Sequence, residues 1–469
     1  MKKNKYSALL KNMGILTIGN FGSKILSYFL VPIYTLYLTT SEYGLFDLIQ
    51  SSINLLIPIL TINMSAVILR FSLDENADLK SIFSIAIKIS LIGILFISII
   101  LFVNSKIELF TPLKGLSIFF ILLYIFSLFA QLLTAFAKGI GDLYGMTISS
   151  IIFSISLFLF TVAFLSFFSM GLIGYLLANI ISNIIVSCYL VIRIQAWKYI
   201  SFNDTSNKLQ VEMLAYGGPL IMTTIGWWIN NISDRFIVTA LCGLSINGIY
   251  SVAYKLPTIL SIFQNIFNQA WQLSTVDVYD KKDSNGFFRD IYLIYNTFMV
   301  LLCSILISSC RLLAIFLFSK NFYNAWIYVP FLLISVVFGS LIGVMDGIYQ
   351  AVKDSRIQSV SVLIGAIFNI VCNVIFIRIF GSIGAALSTM IAYFITWVIS
   401  WLYLKRYIEL RINTSRHLFS YLLLFIQALL QIFLPNGVIQ VVSQVSIISI
   451  IALFYYHDIK LVLVNKKRE

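Results

Sequence analysis

An all-α polytopic membrane protein of about fourteen transmembrane helices is the architecture this sequence predicts, and composition, the length of its apolar runs and the charge of its loops each point there. Of 469 residues, 60% are hydrophobic and 11% charged, and the mean hydropathy is +0.95. A soluble chain carries roughly 45–50% apolar and about 25% charged residues, and a water-soluble fold of this size could not cover so much apolar surface. The net charge of +13 sits on a chain too apolar for a nucleic-acid binder. Disorder is excluded too, because apolar side chains are abundant. The apolar runs are continuous over about 20 residues, as bilayer-spanning helices require, and lack the ten-residue alternation of barrel strands.

Fourteen stretches meet that length: 12–38, 44–69, 82–103, 116–137, 145–168, 171–192, 213–241, 246–271, 291–318, 325–350, 357–379, 382–404, 418–434 and 438–456. Short polar segments such as Thr39-Thr40-Ser41-Glu42 and Pro435-Asn436-Gly437 separate them. With the N-terminus inside, alternate loops collect the basic residues, from Lys2, Lys3, Lys5 and Lys11 through Lys281, Lys282 and Arg289 to Lys466, Lys467 and Arg468. The opposite loops hold only Lys106, Lys114, Arg311, Lys320 and Arg378. Positive loops stay cytoplasmic, so both termini are expected inside. The first apolar run is too long for a signal peptide and has no A-x-A exit.

The chain also repeats itself. A shift of 204 residues places Gly14, Gly22 and Gly44 on Gly218, Gly226 and Gly248, and a shift of 210 places Gly171-Leu-Ile-Gly174 on Gly381-Ser-Ile-Gly384. Each shift spans six helices, an even number, so the repeats are parallel. The expected organisation is an N-terminal six-helix lobe over 1–200, a C-terminal six-helix lobe over 201–410, and two further helices with a basic tail over 411–469. A cleft between two such lobes suits alternating access.

Ionisable groups within a bilayer are costly and usually face a cavity or a partner. Lys24, Arg235 and Lys255 are therefore candidate ligands for an anionic head group. Asp47, Asp234 and Asp346 are candidates for coupling an ion to transport, or for structural charge pairs. Asn231, Asn265, Asn268 and Gln269, close to Trp227, Trp228 and Trp271, suit sugar binding, since amides bond hydroxyls and rings stack on sugar faces. Interhelical hydrogen bonding explains the same amides equally well. Gly339, Gly343 and Gly347 mark a close helix contact, and Pro32, Pro58, Pro219, Pro257 and Pro330 are candidate hinges. Two His and five scattered Cys give no reason to expect a metal centre or a disulfide framework. No phosphate-binding loop is present, the outer loops are short and poor in carboxylates, and neither an enzyme site nor a cofactor is expected.

Certain segments resemble the polysaccharide transporter family, within the superfamily that also holds multidrug extruders and lipid II flippases. They are Gly14-x7-Gly22 continuing through Pro32-x-Tyr34 to Glu42-Tyr43-Gly44, then Tyr216-Gly-Gly-Pro-Leu220 with Asn231-x-x-Asp234-Arg235-Phe236, and Gly381-x-x-Gly384-Ala-Ala386. The resemblance implies a flippase moving undecaprenyl-pyrophosphate-linked oligosaccharide units for O-antigen, capsule or a related surface polysaccharide. It would act outward across the bacterial cytoplasmic membrane, with the lipid-linked oligosaccharide and membrane lipids as partners, beside a polymerase and chain-length machinery. Two alternatives stand beside it: a multidrug or cation efflux transporter of the same fold, and a non-transporting scaffold of a glycan-assembly complex.

Overall fold

The computed structural model describes residues 26–74, 77–107, 113, 115–201, 206–278, 282–283, 286–352, 356–410 and 412–465. Their regular structure is helical throughout. The helices are α1 (Leu26–Tyr37), α2 (Thr40–Leu60), α3 (Met64–Ser72), α4 (Leu79–Ile107), α5 (Ser117–Gly139), α6 (Leu143–Val162), α7 (Gly171–Ile194), α8 (Asn207–Cys242), α9 (Leu244–Ala253), α10 (Pro257–Val278), α11 (Phe287–Leu317), α12 (Val329–Ala351), α13 (Arg356–Phe380), α14 (Ile383–Leu404), α15 (Thr414–Phe433) and α16 (Val438–Asn465).

Eleven helices among the described residues are long and apolar enough to cross a membrane. Three of the fourteen expected stretches fall outside that number, each for its own reason. The stretch 12–38 is described only from residue 26. The stretch 213–241 lies in α8, whose apolar character Asn230, Asn231, Asp234 and Arg235 dilute. The stretch 246–271 is broken into α9 and α10 at Tyr254-Lys255-Leu256, just before Pro257. Proline at the first helical position has no orphan N–H to satisfy, so Pro257 opens α10. Pro330, likewise, stands in the first turn of α12; neither residue is a mid-helix hinge. Pro58 and Pro219 do lie inside helices.

The described residues divide into two compact units, one ending at Trp228 and the other starting at Ile229, within α8. In the first, α7 packs on α5 and α6, and α3 on α5. A capping box opens α2: the Thr39 hydroxyl accepts from the Glu42 N–H at 3.2 Å, and the Glu42 carboxylate accepts from the Thr39 N–H at 2.8 Å. Such caps satisfy otherwise orphaned donors. The other Glu42 oxygen lies 3.4 Å from the Leu172 N–H at the start of α7. Next to it, Tyr43 stacks on Tyr34 at 4.7 Å, and Phe46 meets Tyr175 of α7 at 4.4 Å. The Pro-x-Tyr and Glu-Tyr-Gly segments thus join three helices by packing. Between α2 and α3 the chain turns through Ile62 and Asn63 at positive φ, an uncommon conformation for a β-branched residue. Asn63 donates to Thr224 of α8 at 3.1 Å, and a Cβ on Gly217 of α8 would stand 2.3 Å from the Ile62 carbonyl oxygen.

In the second unit α14 packs on α12 and α13, and α12 also meets α10 and α11. The glycine stripe of α12 receives the polar face of α10: positions where a Cβ would stand on Gly339, Gly343 and Gly347 lie against Gln264, Asn268 and Trp271. Helices α15 and α16 join α11 through a polar seam. Asn296 donates to the Tyr455 hydroxyl at 2.9 Å and accepts from Tyr421 at 2.8 Å, and its amide nitrogen lies 2.9 Å from His417 Nδ1. Further along, Ser304 donates to Gln427 at 2.7 Å and Gln440 to Gln431 at 2.7 Å. Arg311 lies over the Trp326 ring at 4.2 Å and donates to the Gln431 and Leu434 carbonyls at 2.6 and 2.9 Å.

The two glycine motifs of the sequence repeat adopt one conformation. Gly171 and Gly381 both have positive φ, +53° and +67°, which glycine adopts without a Cβ penalty. Gly174 and Gly384 each let the preceding helix come close. A Cβ there would stand 3.3 Å from the Phe164 carbonyl oxygen and 2.2 Å from that of Phe376.

Candidate functional site

The densest arrangement of sequence-predicted residues lies in the second unit, around Asp234. This residue sits in α8 with only 2% of its surface exposed. Its Oδ2 accepts from the Tyr250 hydroxyl at 2.6 Å and from the Tyr254 hydroxyl at 2.5 Å, and Thr389 Oγ1 of α14 lies 3.4 Å away. Oδ1 accepts from the Arg235 N–H at 2.9 Å. Burying a carboxylate is tolerable when hydrogen bonds replace the water it loses, and here α9, the turn after it and α14 supply them. The network extends to α13: Asn369 donates to Thr389 at 3.4 Å, and Asn373 to Asn369 at 2.9 Å.

Local sequence explains the convergence. Tyr250 and Tyr254 are four apart, on one face of α9 as it ends, so both hydroxyls reach one carboxylate. The break at Tyr254-Lys255-Leu256 then turns the chain into α10. Arg235, half-buried, lies with its Cζ 5.0 Å from the centre of the Tyr254 ring, a cation–π geometry. Lys255 is half-buried in the turn itself, not within an unbroken helix as the sequence suggested. Tyr254 therefore has one cation over its ring and another adjoining it in the chain.

The amides divide by environment. Asn231 is exposed and its Oδ1 accepts from the Tyr393 hydroxyl of α14 at 2.9 Å. Asn265 is also exposed. Asn268 lies against Gly343, and Trp271 donates to the Val344 carbonyl at 2.8 Å; these two serve the α10–α12 contact. The side chain of Gln269 lies outside the described residues, as does Lys24. Asp346 of α12 is buried, 8% exposed, with Gln358 of α13 hydrogen-bonded to it. Asp47 belongs to the first unit, buried on α2 beside the Tyr34–Tyr43–Tyr175 cluster. Sequence reasoning passed over Tyr250, Tyr254, Thr389, Asn369 and Tyr393. The four-residue tyrosine spacing was visible, but nothing local ties it to an aspartate sixteen residues earlier.

This geometry meets an independent finding from sequence comparison. Residues 9–272 match the model of a family described as polysaccharide biosynthesis protein. The chain belongs to that family. No curated protein sequence is significantly similar to it. Among solved structures it is similar to the lipid II flippase MurJ in an inward closed conformation, at TM-score 0.68 and 17% identity over 95% of this chain and 99% of that one. It is also similar to a multidrug resistance MATE family transporter of the MOP superfamily. The inward-facing form gives TM-score 0.64 at 14% identity, over 83% of this chain and 94% of that one. The outward-facing form gives 0.60 at 14% identity, over 84% and 95%. At these identities the likeness establishes the fold: this is a multi-pass membrane protein with the transporter architecture of MurJ and MATE.

Proposed function

We propose that this family member is not an enzyme but a flippase that carries undecaprenyl-pyrophosphate-linked oligosaccharide units from the cytoplasmic to the outer face of a bacterial cytoplasmic membrane by alternating access. The observation carrying this reading is the pair of half-buried cations at Tyr254, Arg235 of α8 over its ring and Lys255 next to it in the turn between α9 and α10. A pyrophosphate cannot cross hydrocarbon unaided. Arginine offers it a bidentate fork and lysine a compact charge, replacing its water. The family's polysaccharide biosynthesis description and the fold shared with a lipid II flippase support the same substrate class. An anion moving outward is also assisted by an inside-negative potential, by about 2.3 kcal/mol per charge per 100 mV. Asp234 and Asp346, buried in the same unit, are the candidates for coupling an ion to the cycle, and O-antigen, capsule and related units are the cargo class. A polysaccharide polymerase and its chain-length machinery would receive the product, and both termini would remain cytoplasmic.

The test is reconstitution in liposomes with a fluorescent undecaprenyl-pyrophosphate oligosaccharide, followed as it reaches the far leaflet. Transport that drops at least tenfold in Arg235→Ala and Lys255→Ala, with folding intact, is the expected result. No translocation by the wild type, alongside efflux of a cationic dye, would overturn the reading in favour of drug extrusion. Translocation indifferent to both substitutions would remove the cationic centre from it.

A further inference from the structure

Half-way along three helices of the second unit, a patch of uncharged hydrogen-bonding groups stands where an apolar surface would be expected. Gly339 of α12 has no side chain, and the space above it is taken by the Tyr393 ring of α14 and the Gln264 amide of α10. A Cβ there would lie 3.2 Å from Tyr393 Cε1 and 3.7 Å from Gln264 Nε2. Tyr393 donates through its hydroxyl to Asn231 of α8 at 2.9 Å, which holds ring and amide in one orientation. Asn265, next to Gln264, is exposed, as is Asn231. Helices α12 and α14 are both apolar enough to cross a membrane, so this level of the unit lies within the bilayer. Exposed amides at such a depth cannot face acyl chains, where their donors and acceptors would find no partners; they face water or a polar ligand.

The chemistry of the patch selects the ligand. An amide presents a donor and an acceptor side by side, matching adjacent hydroxyls of a sugar, and a tyrosine ring accepts the apolar face of a pyranose. No charge stands among Asn231, Gln264 and Tyr393, so the patch suits a neutral polyhydroxylated ring and not a phosphate. Asn231 also precedes Arg235 by four residues, about 6 Å along the helix axis and on the same face. A phosphate held at Arg235 would place the sugar attached to it beside Asn231.

We propose that Asn231, Gln264 and Tyr393 form a subsite for the first hexopyranose of the lipid-linked glycan, with Gly339 making room for the Tyr393 ring. The subsite rests on the flippase reading above and adds to it the part of the cargo that the second unit recognises. Gly339 is a positioning residue and makes no contact with the sugar.

The experiment compares binding of four lipids to the full-length protein in nanodiscs: undecaprenyl pyrophosphate alone, and the same lipid carrying one glucose, galactose or N-acetylglucosamine. The wild type is expected to bind at least one glycosylated lipid about tenfold more tightly than the bare one. Asn231→Ala and Gln264→Ala should remove most of that difference while leaving the bare lipid's affinity unchanged. Tyr393→Phe, which keeps the ring and loses only the hydroxyl, should reduce it by a smaller factor. Gly339→Ala should act like Tyr393→Phe, by displacing the ring. Arg235→Ala should weaken all four lipids alike. Equal affinity of the wild type for bare and glycosylated lipids would overturn the subsite while leaving the flippase reading standing. So would Asn231→Ala and Gln264→Ala variants that weaken all four lipids together. Failure of the wild type to bind any of the four would overturn both.

Discussion

Replacing Tyr250 with Phe deletes one hydroxyl and no ring, and so removes the hydrogen bond it gives to Asp234 together with its 3.2 Å contact to the Tyr254 hydroxyl. That bond, 2.6 Å long, is shared on Oδ2 with the one from Tyr254 at 2.5 Å, while Oδ1 keeps the Arg235 N–H. A hydrogen bond to a charged group contributes about 1.5–3 kcal/mol, so Tyr250→Phe and Tyr254→Phe should each destabilise the protein by about that much. Removing both leaves Oδ2 with only Thr389 at 3.4 Å, close to an uncompensated buried charge, whose cost is about 3–5 kcal/mol. In an Asp234→Asn background the acceptor is neutral, and Tyr250→Phe should cost about 1 kcal/mol, the ordinary value for neutral partners. The difference between the two backgrounds, about 0.5–2 kcal/mol, is the coupling energy of a double-mutant cycle. Reversible unfolding in mixed micelles of dodecylmaltoside and SDS, read by fluorescence of the seven tryptophans, measures all four corners. A Tyr250→Phe cost that is the same in both backgrounds would refute the reasoning, because the hydroxyl would then act through its 3.2 Å contact with the Tyr254 hydroxyl and not through Asp234.

Three further outcomes follow from other parts of the molecule. Gly384→Ala puts a Cβ 2.2 Å from the Phe376 carbonyl oxygen, a backbone atom that cannot swing away, so it should cost about 1–3 kcal/mol or more in the same unfolding assay. Gly381→Ala, which meets no neighbour but has φ +67°, should cost less. Asp78 precedes α4 and accepts from the Ser81 N–H at 3.2 Å, and the Ser81 hydrogen bonds hold its carboxyl below the ordinary carboxylate value. A folded-state value depressed in this way gives stability that is present above the unfolded value and lost as pH falls through the folded one. The cost of Asp78→Ala, roughly 0.5–1 kcal/mol at neutral pH for a helix cap, should therefore shrink between about pH 4 and lower values, as parallel urea titrations would show. Asp346→Asn keeps the shape beside Gln358 and removes the ionisable group. If Asp346 couples a proton or Na⁺ to transport, the variant should lose the ion dependence of flipping in liposomes, and an unchanged ion dependence would assign Asp346 to structure.

The helical class and most helix positions were legible because continuous apolar runs leave little choice inside a bilayer. Breaks were harder to see. Pro58 sits three residues before the turn that separates α2 from α3, but that turn is made by Ile62 and Asn63, and it is held by Gly217 and Thr224, more than 150 residues away. The candidate site divides in the same way. Asp234 and Arg235 were conspicuous as charges among apolar residues. Tyr250, Thr389 and Asn369 carry no such contrast, since uncharged hydroxyls and amides are common in helices of this kind, and only the folded chain brings them to the aspartate. The amides of α10 show why residue type alone does not settle a role: Asn265 and Asn268 differ by three positions, yet one is exposed and the other lies on a glycine.

The seam between α11 and the last two helices bears on how the chain is assembled as it is made. Gln427, Gln431, Gln440 and Gln444 would each meet hydrocarbon as a lone helix entered the bilayer, with no water to serve their amides. Within the hairpin of α15 and α16, Gln440 donates to Gln431 at 2.7 Å and Gln444 to the Gln427 backbone carbonyl at 3.3 Å, while the Gln427 amide waits for Ser304 of α11. The hairpin can thus leave the translocon as a pair already partly satisfied, and dock afterwards onto Ser304 and Asn296. Until it arrives, α11 presents an asparagine and a serine with no final partners, a mark by which a quality-control protease could tell an unfinished chain from a finished one.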